Sequence, residues 1–416
     1  MKENYFTRDT NRKSRKSEYV LPKKTKEEEP KEKIDGQCRY YKKCGGCQLQ
    51  NMSYERQLLW KQARIEILTR KFCRVEKIIG MKNPFHYRNK VSTAFSTDRK
   101  GRAISGIYQS STHKVVQVNR CMIEDKKADE IIYTIKNMIE RYKLQPYNEY
   151  TGVGNLRHIL VKRGFKTGEV MVVLILKTPI FPQKKYFVKE LTEKHPEIKT
   201  IIMNVNSDFT SMVLGQREEV LYGKGYIEDV LCGCRFRISA KSFYQVNPVQ
   251  TEVLYKKAIE FAGLTGQENV IDAYCGIGTI GMIIAKNGAK NVAGVEVNKD
   301  AVKDAIFNAK LNDIKNIYFY NADAGEFMRG MAASDEEADV VMMDPPRAGS
   351  DVKFLSSVVT LWPKKIVYIS CNPETLARDL EYLTGNGYKV RKIQPVDMFP
   401  FTNHIETVVL LTQQEG

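Results

Sequence analysis

The stretch Asn269-Val-Ile-Asp-Ala-Tyr274-Cys-Gly276-Ile-Gly278-Thr-Ile-Gly281 decides how this chain folds. A short apolar run ends at a carboxylate and an aromatic residue. Glycines then follow at the spacing G-x-G-x-x-G and lead into the helix-forming residues Thr279 to Asn287. A strand that turns through glycines into a helix is the first unit of a parallel, doubly wound sheet. The residues around it repeat the alternation. A helix is expected at Glu252 to Ala262, and another at Asp300 to Asn312. Strands are expected at Asn291 to Val295, Ile317 to Tyr320, Asp339 to Met343 and Ile366 to Ile369, with Thr407 to Leu411 closing the sheet. The fold class is therefore α/β, with a Rossmann-like domain over residues 238–416.

Residues 36–237 read differently. Ser53 is placed to cap a helix across residues 51–72, able to pack on the Rossmann-like half. From Phe85 to about Val230 the signals are strands and hairpins, the clearest being Ile159 to Arg163 and Val170 to Leu176 around Gly164-Phe-Lys-Thr-Gly168. Tyr87, Arg88, Lys90, Arg99, Lys100, Arg102, Arg157, His158, Lys162 and Arg163 interleave basic and aromatic groups. On an exposed sheet face such a mixture pairs phosphates and stacks bases, so this central α+β domain is expected to bind RNA. Residues 1–35 are almost wholly charged and polar and are expected to be a disordered tail.

The 416 residues carry a formal net charge of +17, which suits a polyanionic partner. The longest apolar run, Val170 to Leu176, is too short to span a bilayer, and the N-terminus lacks the apolar core of a signal peptide. A cytoplasmic monomer without a membrane contact is expected. Nine cysteines in such a chain argue for metal binding or catalysis rather than disulfides. Cys38, Cys44 and Cys47 fall within ten residues, the last two separated by glycines that let the backbone wrap one metal centre. Zinc or an iron–sulfur cluster fits, each wanting a fourth ligand. Cys121 is the better candidate and Cys73 the other.

The glycine loop alone does not choose its ligand, because NAD enzymes and S-adenosylmethionine enzymes share it. Glu296 stands where a ribose-binding acid is expected. Asp272 places a carboxylate where a methionine ammonium would sit and a pyrophosphate would be repelled. Asp344-Pro-Pro-Arg347, ending the fourth strand, is typical of nucleic-acid methyltransferases. Together they favour S-adenosylmethionine. Cys371 leaves a strand into Asn372-Pro373, where the residue before proline is pushed to extended geometry and a helix cannot simply continue. A free cysteine is ordinarily a small core hydrophobe. Here its backbone is held near the ligand crevice instead.

With these motifs the sequence resembles the uracil-C5 RNA methyltransferases, which make 5-methyluridine in bacterial 23S rRNA and in the tRNA T-loop. The likeness covers almost everything after residue 36. It includes the cysteine set, Tyr87-Arg-Asn-Lys90, Leu156-Arg-His158, Ser242 to Asn247, Asp272 to Gly281, Asp344 to Arg347, Ser370 to Pro373 and His404-Ile-Glu406. It implies that Cys38, Cys44, Cys47 and Cys121 hold a four-iron–four-sulfur (4Fe–4S) cluster, and favours 23S rRNA as the target. Cys371 would add to carbon 6 of uracil, and Glu406 would remove the hydrogen from carbon 5. Cys275, in the cofactor loop, is the local competitor and is read as structural. Gln245, Asp272, Tyr274, Gly276, Gly278, Thr279, Glu296, Asp323 and Asp344 would form the cofactor site, with Asp344 also near the uracil. Arg347 would touch RNA phosphate or form a structural ion pair, and His404 would stand behind Glu406. The resemblance departs at the N-terminus, where many relatives carry a small β-barrel and this chain has its charged tail. A tRNA target, cytosine-C5 methylation and a non-catalytic RNA-binding role are the alternatives.

Overall fold

The structure is a computed structural model that describes residues 38–414, apart from 99, 110–111, 113, 150 and 209–211. The expected tail and Arg99 lie outside the described residues. From Cys38 onward the chain forms one compact unit. It begins with helix α1 (Tyr54–Thr69), followed by strands β1 (Lys90–Thr97), β2 (Ala103–Tyr108) and β3 (Val115–Gln117), helix α2 (Lys126–Met138), strands β4 (Leu156–Arg163) and β5 (Val170–Leu176), helix α3 (Lys184–Lys194), and strands β6 (Ile198–Val205) and β7 (Arg217–Gly223). These strands make a seven-stranded sheet in the order β3-β2-β1-β4-β5-β6-β7. A separate hairpin, β8 (Tyr226–Leu231) and β9 (Cys234–Ser239), leads to the second half.

That half runs α4 (Pro248–Ala262), β10 (Asn269–Ala273), α5 (Thr279–Lys286), β11 (Asn291–Glu296), α6 (Lys299–Leu311), β12 (Ile317–Asn321), α7 (Ala324–Ala333), β13 (Val340–Met343), α8 (Val352–Leu361), β14 (Lys365–Ser370), α9 (Pro373–Gly385), β15 (Tyr388–Val396) and β16 (Glu406–Gln413). The sheet order is β12-β11-β10-β13-β14-β16-β15, with β10 to β14 parallel and β16 antiparallel to both neighbours. This is the expected doubly wound α/β arrangement. Two details differ. The final strand does not close the sheet in space: β16 is inserted between β14 and β15, a strand the sequence reading passed over. Helix α9 begins at Pro373, immediately after an extended Asn372 (φ −140°, ψ 109°). Proline is tolerated at a first helical position because its missing N–H has no partner there, so the turn after Cys371 is a single residue.

Hydrophobic packing runs without a break from Leu160, Val173 and Ile202 of the first sheet, through Ile227 and Phe236 of the hairpin, to Leu254, Ile283 and Val367 of the second half. The basic-aromatic set is divided: Lys90, Lys100 and Arg102 are exposed and Arg88 is half-buried. Arg157, His158, Lys162 and Tyr87 are buried. Strand β4 lies inside the sheet with both faces covered, so its polar residues are turned to internal use. Arg157 donates to the carbonyls of Asn206 and Asp208, and Lys162 to those of Ser239 and Ser242. Arg163 pairs with Asp125.

Helix α1 is capped as expected, Ser53 Oγ accepting from the Arg56 amide. The face it buries is unexpected: Gln57, Lys61, Ile65 and Thr69, mostly polar, while Leu59 stays exposed. That face meets the loop joining β15 to β16, whose backbone groups need partners. Lys61 Nζ lies 2.6 Å from Asp397 Oδ1, both side chains fully buried, and donates to the Phe399 carbonyl at 3.0 Å. Lys61→Met leaves the Asp397 carboxylate buried without its cation. We expect a loss of ~3–5 kcal/mol, read as a lowered urea midpoint with an unchanged denaturant slope.

Candidate active site

The candidate residues gather at one edge of the second sheet, where the parallel strands end. Asp272 lies in β10, Glu296 ends β11, Asp344 follows β13 and Cys371 follows β14. Glu406 begins β16. The register Ser370↔Thr407 sets Cys371 opposite Glu406 across the β14–β16 ladder.

The chain leaves β10 through Tyr274, whose φ of 64° is unusual for a side-chain-bearing residue. This bend lets the Cys275 amide reach the Val295 carbonyl, and sets the Tyr274 ring on Phe354 of α8 at 4.9 Å. Gly278 (φ 81°) starts α5 from the left-handed region, and a Cβ there would strike Met282 and Phe319. Gly281 is needed for a different reason. Its amide donates to Asp272 Oδ2 at 2.8 Å, and a Cβ would stand the same distance from that oxygen. Asp272 is therefore a buried acceptor that also braces α5. Glu296 takes the Gly276 amide on Oε2 and the Asn298 amide on Oε1. Asp323 is exposed and caps α7 through the Glu326 amide.

The electrostatics are dominated by carboxylates withdrawn from water. Burial raises Asp272 to about 7, helped by the charges of Asp344 and Glu296 and opposed by the Gly281 hydrogen bond. Burial likewise raises Asp344 to about 7. Glu406, 4% exposed, is held well above its ordinary value by burial and then by Asp344, with Arg347 opposing. The Cys371 thiol is half-buried and pushed up to about 12 by burial, Glu406 and Asp344, again opposed by Arg347. Asp344 thus acts on both Cys371 and Glu406, and Arg347 is the cation that relieves them. The loop from Asp344 to Ser350 is pinned from behind: buried Asp379 accepts from the Ser350 amide at 2.9 Å and from Tyr368 Oη of β14 at 2.7 Å. Asn372 Nδ2 donates to the Arg347 carbonyl at 3.1 Å. His404 is half-buried, lowered to about 4 by burial and then Arg347, with its ring edge-on to Phe399. Cys275 is buried and its thiol raised by burial, Asp272 and Glu296.

One residue of this cluster escaped the sequence reading. Tyr255 of α4 is 2% exposed, its phenol close to Thr279 and Gln245 and raised by burial and by Asp344. In sequence it is one more apolar position of an amphipathic helix, so no signal set it apart.

Away from this edge, Cys38, Cys44, Cys47 and Cys121 line one cavity with Tyr40, Gln50 and Met122. Cys73 is elsewhere, its thiol directed at the Arg391 carbonyl. The Asn119 amide donates to Tyr40 Oη at 3.2 Å, tying the first three cysteines to the loop of the fourth. Cys47 is pushed up to about 11, first by burial and then by Cys44 and Cys38 among its neighbours. Gln50 Nε2 is buried there without an oxygen or nitrogen partner. Gln50 acts on Cys47, and an amide N–H there suits a sulfur that carries negative charge, as a metal-bound thiolate does. Among the described residues, no three His, Cys, Asp or Glu side chains converge closely enough to hold a metal ion.

The strand ends of a Rossmann-like sheet, with a glycine loop, an acid at the end of the second strand and a thiol beside them, suit the nucleoside cofactor of a methyltransferase. Residues 53–414 match the model of the tRNA (uracil-5-)-methyltransferase family. Similar chains include an uncharacterized RNA methyltransferase of Clostridium acetobutylicum, 44% identical over 92% of this chain and 85% of that one. Another from Halalkalibacterium halodurans is 42% identical over 91% and 84%. Among solved structures, the tRNA (uracil-54, C5)-methyltransferase of Pyrococcus abyssi, in complex with S-adenosyl-L-homocysteine, is similar with a TM-score of 0.75. Its identity is 30%, covering 89% of this chain and 86% of that one. The protein belongs to the uracil-C5 RNA methyltransferase family and is an S-adenosylmethionine-dependent RNA methyltransferase. Among the described residues, no helix is long and apolar enough to cross a membrane.

Asp272 and Asp344 bind protons more tightly folded than unfolded. Their contribution to stability is full below the ordinary carboxylate range and is lost as pH rises through about 7. Urea unfolding of the cofactor-free protein should show stability falling from about pH 5 to about pH 8. Asp344→Asn should reduce that fall.

Proposed function

We propose that this enzyme methylates carbon 5 of a uridine in 23S rRNA by transient covalent catalysis. The observation that carries the reading is the pairing of Cys371 with Glu406 across the β14–β16 ladder, beside Asp344. Carbon 5 of uracil is a poor nucleophile. The Cys371 thiolate adds to carbon 6, and the ring electrons move to carbon 5, which takes the methyl group of S-adenosylmethionine. Glu406 then removes the hydrogen from carbon 5, the double bond re-forms, and the thiolate leaves. Asp344 is close to both partners and is assigned to the uracil edge. Gln245, Asp272, Tyr274, Gly276, Gly278, Thr279 and Glu296 are assigned to the cofactor, with Asp323 at its adenine end.

In the cofactor-free site Cys371 is a thiol and Glu406 favours its neutral form. A positively charged sulfonium entering beside Asp344 and Asp272 supplies the missing counter-charge and favours ionisation of both reacting groups. The target base must be unstacked to reach them, and its binding is assigned to the central domain. Cys38, Cys44, Cys47 and Cys121 fit a 4Fe–4S cluster. The family resemblance of the cysteine set favours the cluster over a single zinc. Bound there, it would cross-link the N-terminal loop to the loop of Cys121 and needs no electron transfer. The rRNA assignment rests on that cysteine set. A tRNA T-loop target is the second reading, favoured by the likeness to the Pyrococcus abyssi tRNA enzyme. Either substrate implies work in the cytoplasm, and we take the active form to be a monomer.

Labelled S-adenosylmethionine incubated with total RNA should yield 5-methyluridine, and RNA from a strain lacking the gene should lose it at a 23S position. Cys371→Ala should abolish turnover, while Glu406→Gln should trap the enzyme on RNA. Turnover by Cys371→Ala, or label only in cytidine, rules the mechanism out. Anaerobic purification should give a brown protein bleached by dithionite. A colourless, zinc-containing one refutes the cluster.

A further inference from the structure

The loop that delivers Glu406, from Asp397 to Ile405, has little regular structure of its own. Its backbone groups are instead taken up by side chains from elsewhere. Lys61 donates to the Phe399 carbonyl, Tyr87 to that of Pro400 and Asn247 to that of Met398, while Gln57 Oε1 accepts from the Phe401 amide. One more side chain does something the others do not. Arg64 of α1 donates from Nη1 to the Asn403 carbonyl at 2.9 Å, and from Nε and Nη2 to Glu374 Oε1 at 3.1 and 2.5 Å. Asn403 lies three residues before Glu406, and Glu374 three residues after Cys371. A single guanidinium, steadied by Trp60 with its centre 5.6 Å from the ring, therefore joins the loop that leads into the proposed base to the first turn of α9, which follows the proposed nucleophile.

We propose that Arg64 is a positioning residue that fixes the spacing of Glu406 from Cys371 and so sets the rate of the second half of the reaction. The inference rests on the catalytic reading above. In that half, Glu406 takes the carbon-5 proton, the electron pair restores the 5,6 double bond, and the carbon–sulfur bond breaks to release the thiolate. The first half needs Cys371 and the methyl donor in line. The second alone needs the carboxylate over carbon 5. Side chains of Arg64 and Glu374 are 24% and 50% exposed, so their ion pair adds little to stability. Its value lies in geometry, where a displacement of about 1 Å can slow a step by as much as ~100-fold.

The test is a single-turnover quench with RNA and S-adenosylmethionine, following both the denaturant-resistant protein–RNA adduct and free 5-methyluridine. Wild type, Arg64→Lys and Arg64→Met are compared, with Tm and cofactor affinity measured for each. Lysine keeps the charge but cannot fork between a carbonyl and a carboxylate. Both variants should form the adduct at the wild-type rate and release product ~10- to 100-fold more slowly, with the KM for RNA, Tm and cofactor affinity near wild type. Release at the wild-type rate overturns the proposal. So does an equal slowing of formation and release, or restoration by lysine. If wild type forms no adduct in this assay, while Glu406→Gln also fails to trap one, the catalytic reading itself falls.

Discussion

A lysine and an aspartate separated by 336 positions in sequence meet where no water reaches: Lys61 and Asp397. Burial lowers the pKa of Lys61, and the charge of Asp397 opposite works against that. Such a pair is weak evidence for stability, because desolvation costs about as much as the attraction returns. What it supplies is address. Either charge left alone would be intolerable, so α1 can dock in one register only. Tyr54 adds a second lock, donating to Asp397 Oδ2 and accepting from the Met81 amide. The segment from Val75 to Ile79 then runs beside β15 in parallel, an extra edge piece contributed by the front of the chain. The path into Glu406 is thereby set in part by residues that precede the first sheet.

The reacting edge shows the opposite economy. Asp272 and Glu406 are withdrawn from water and Asp344 partly so, all three are raised, and Arg347 is the cation that opposes the shift at Glu406 and Cys371. The protein satisfies the Lys61–Asp397 charge internally and leaves this cluster short of positive charge. A ligand that brings its own cation relieves that shortage, and a neutral one does not. The same arithmetic explains why a thiol pushed up to about 12 can still serve. A cation bound beside it would favour the thiolate form.

The parts of this arrangement that were legible in the sequence are those governed by local rules. The glycine loop, the strand before it, Asp344 at its strand end and the alternation from Asn269 to Ile369 each follow from short-range geometry. The hairpin around Gly164 to Gly168 was legible for the same reason. What was missed depends on partners far along the chain. Arg157 and Lys162 look like solvated cations until β4 is known to be central, and only then do the carbonyls of residues 206, 208, 239 and 242 come within reach. Lys61 and Gln57 look like the wet side of an amphipathic helix, because periodicity says where a face is and not what covers it. Tyr255 differs from a core tyrosine only by the two polar side chains above it.

The insertion of β16 between β14 and β15 was the costliest omission, because the site depends on it. Side chains along a strand alternate faces, so a slip of one residue in the β14–β16 ladder would bring Ile405 or Thr407 opposite Cys371 and turn Glu406 away. The ladder is fixed twice over, by Ser370↔Thr407 on one side and Val396↔Glu406 on the other. A hairpin with a tight turn would set its own register, but the nine residues between β15 and β16 are too many for that. Register must come from the strands' pairing and from whatever holds the loop between them. In this protein it is held by α1, Tyr87 and Asn247, so the alignment of acid with thiol is a property of the whole chain and not of the sheet alone.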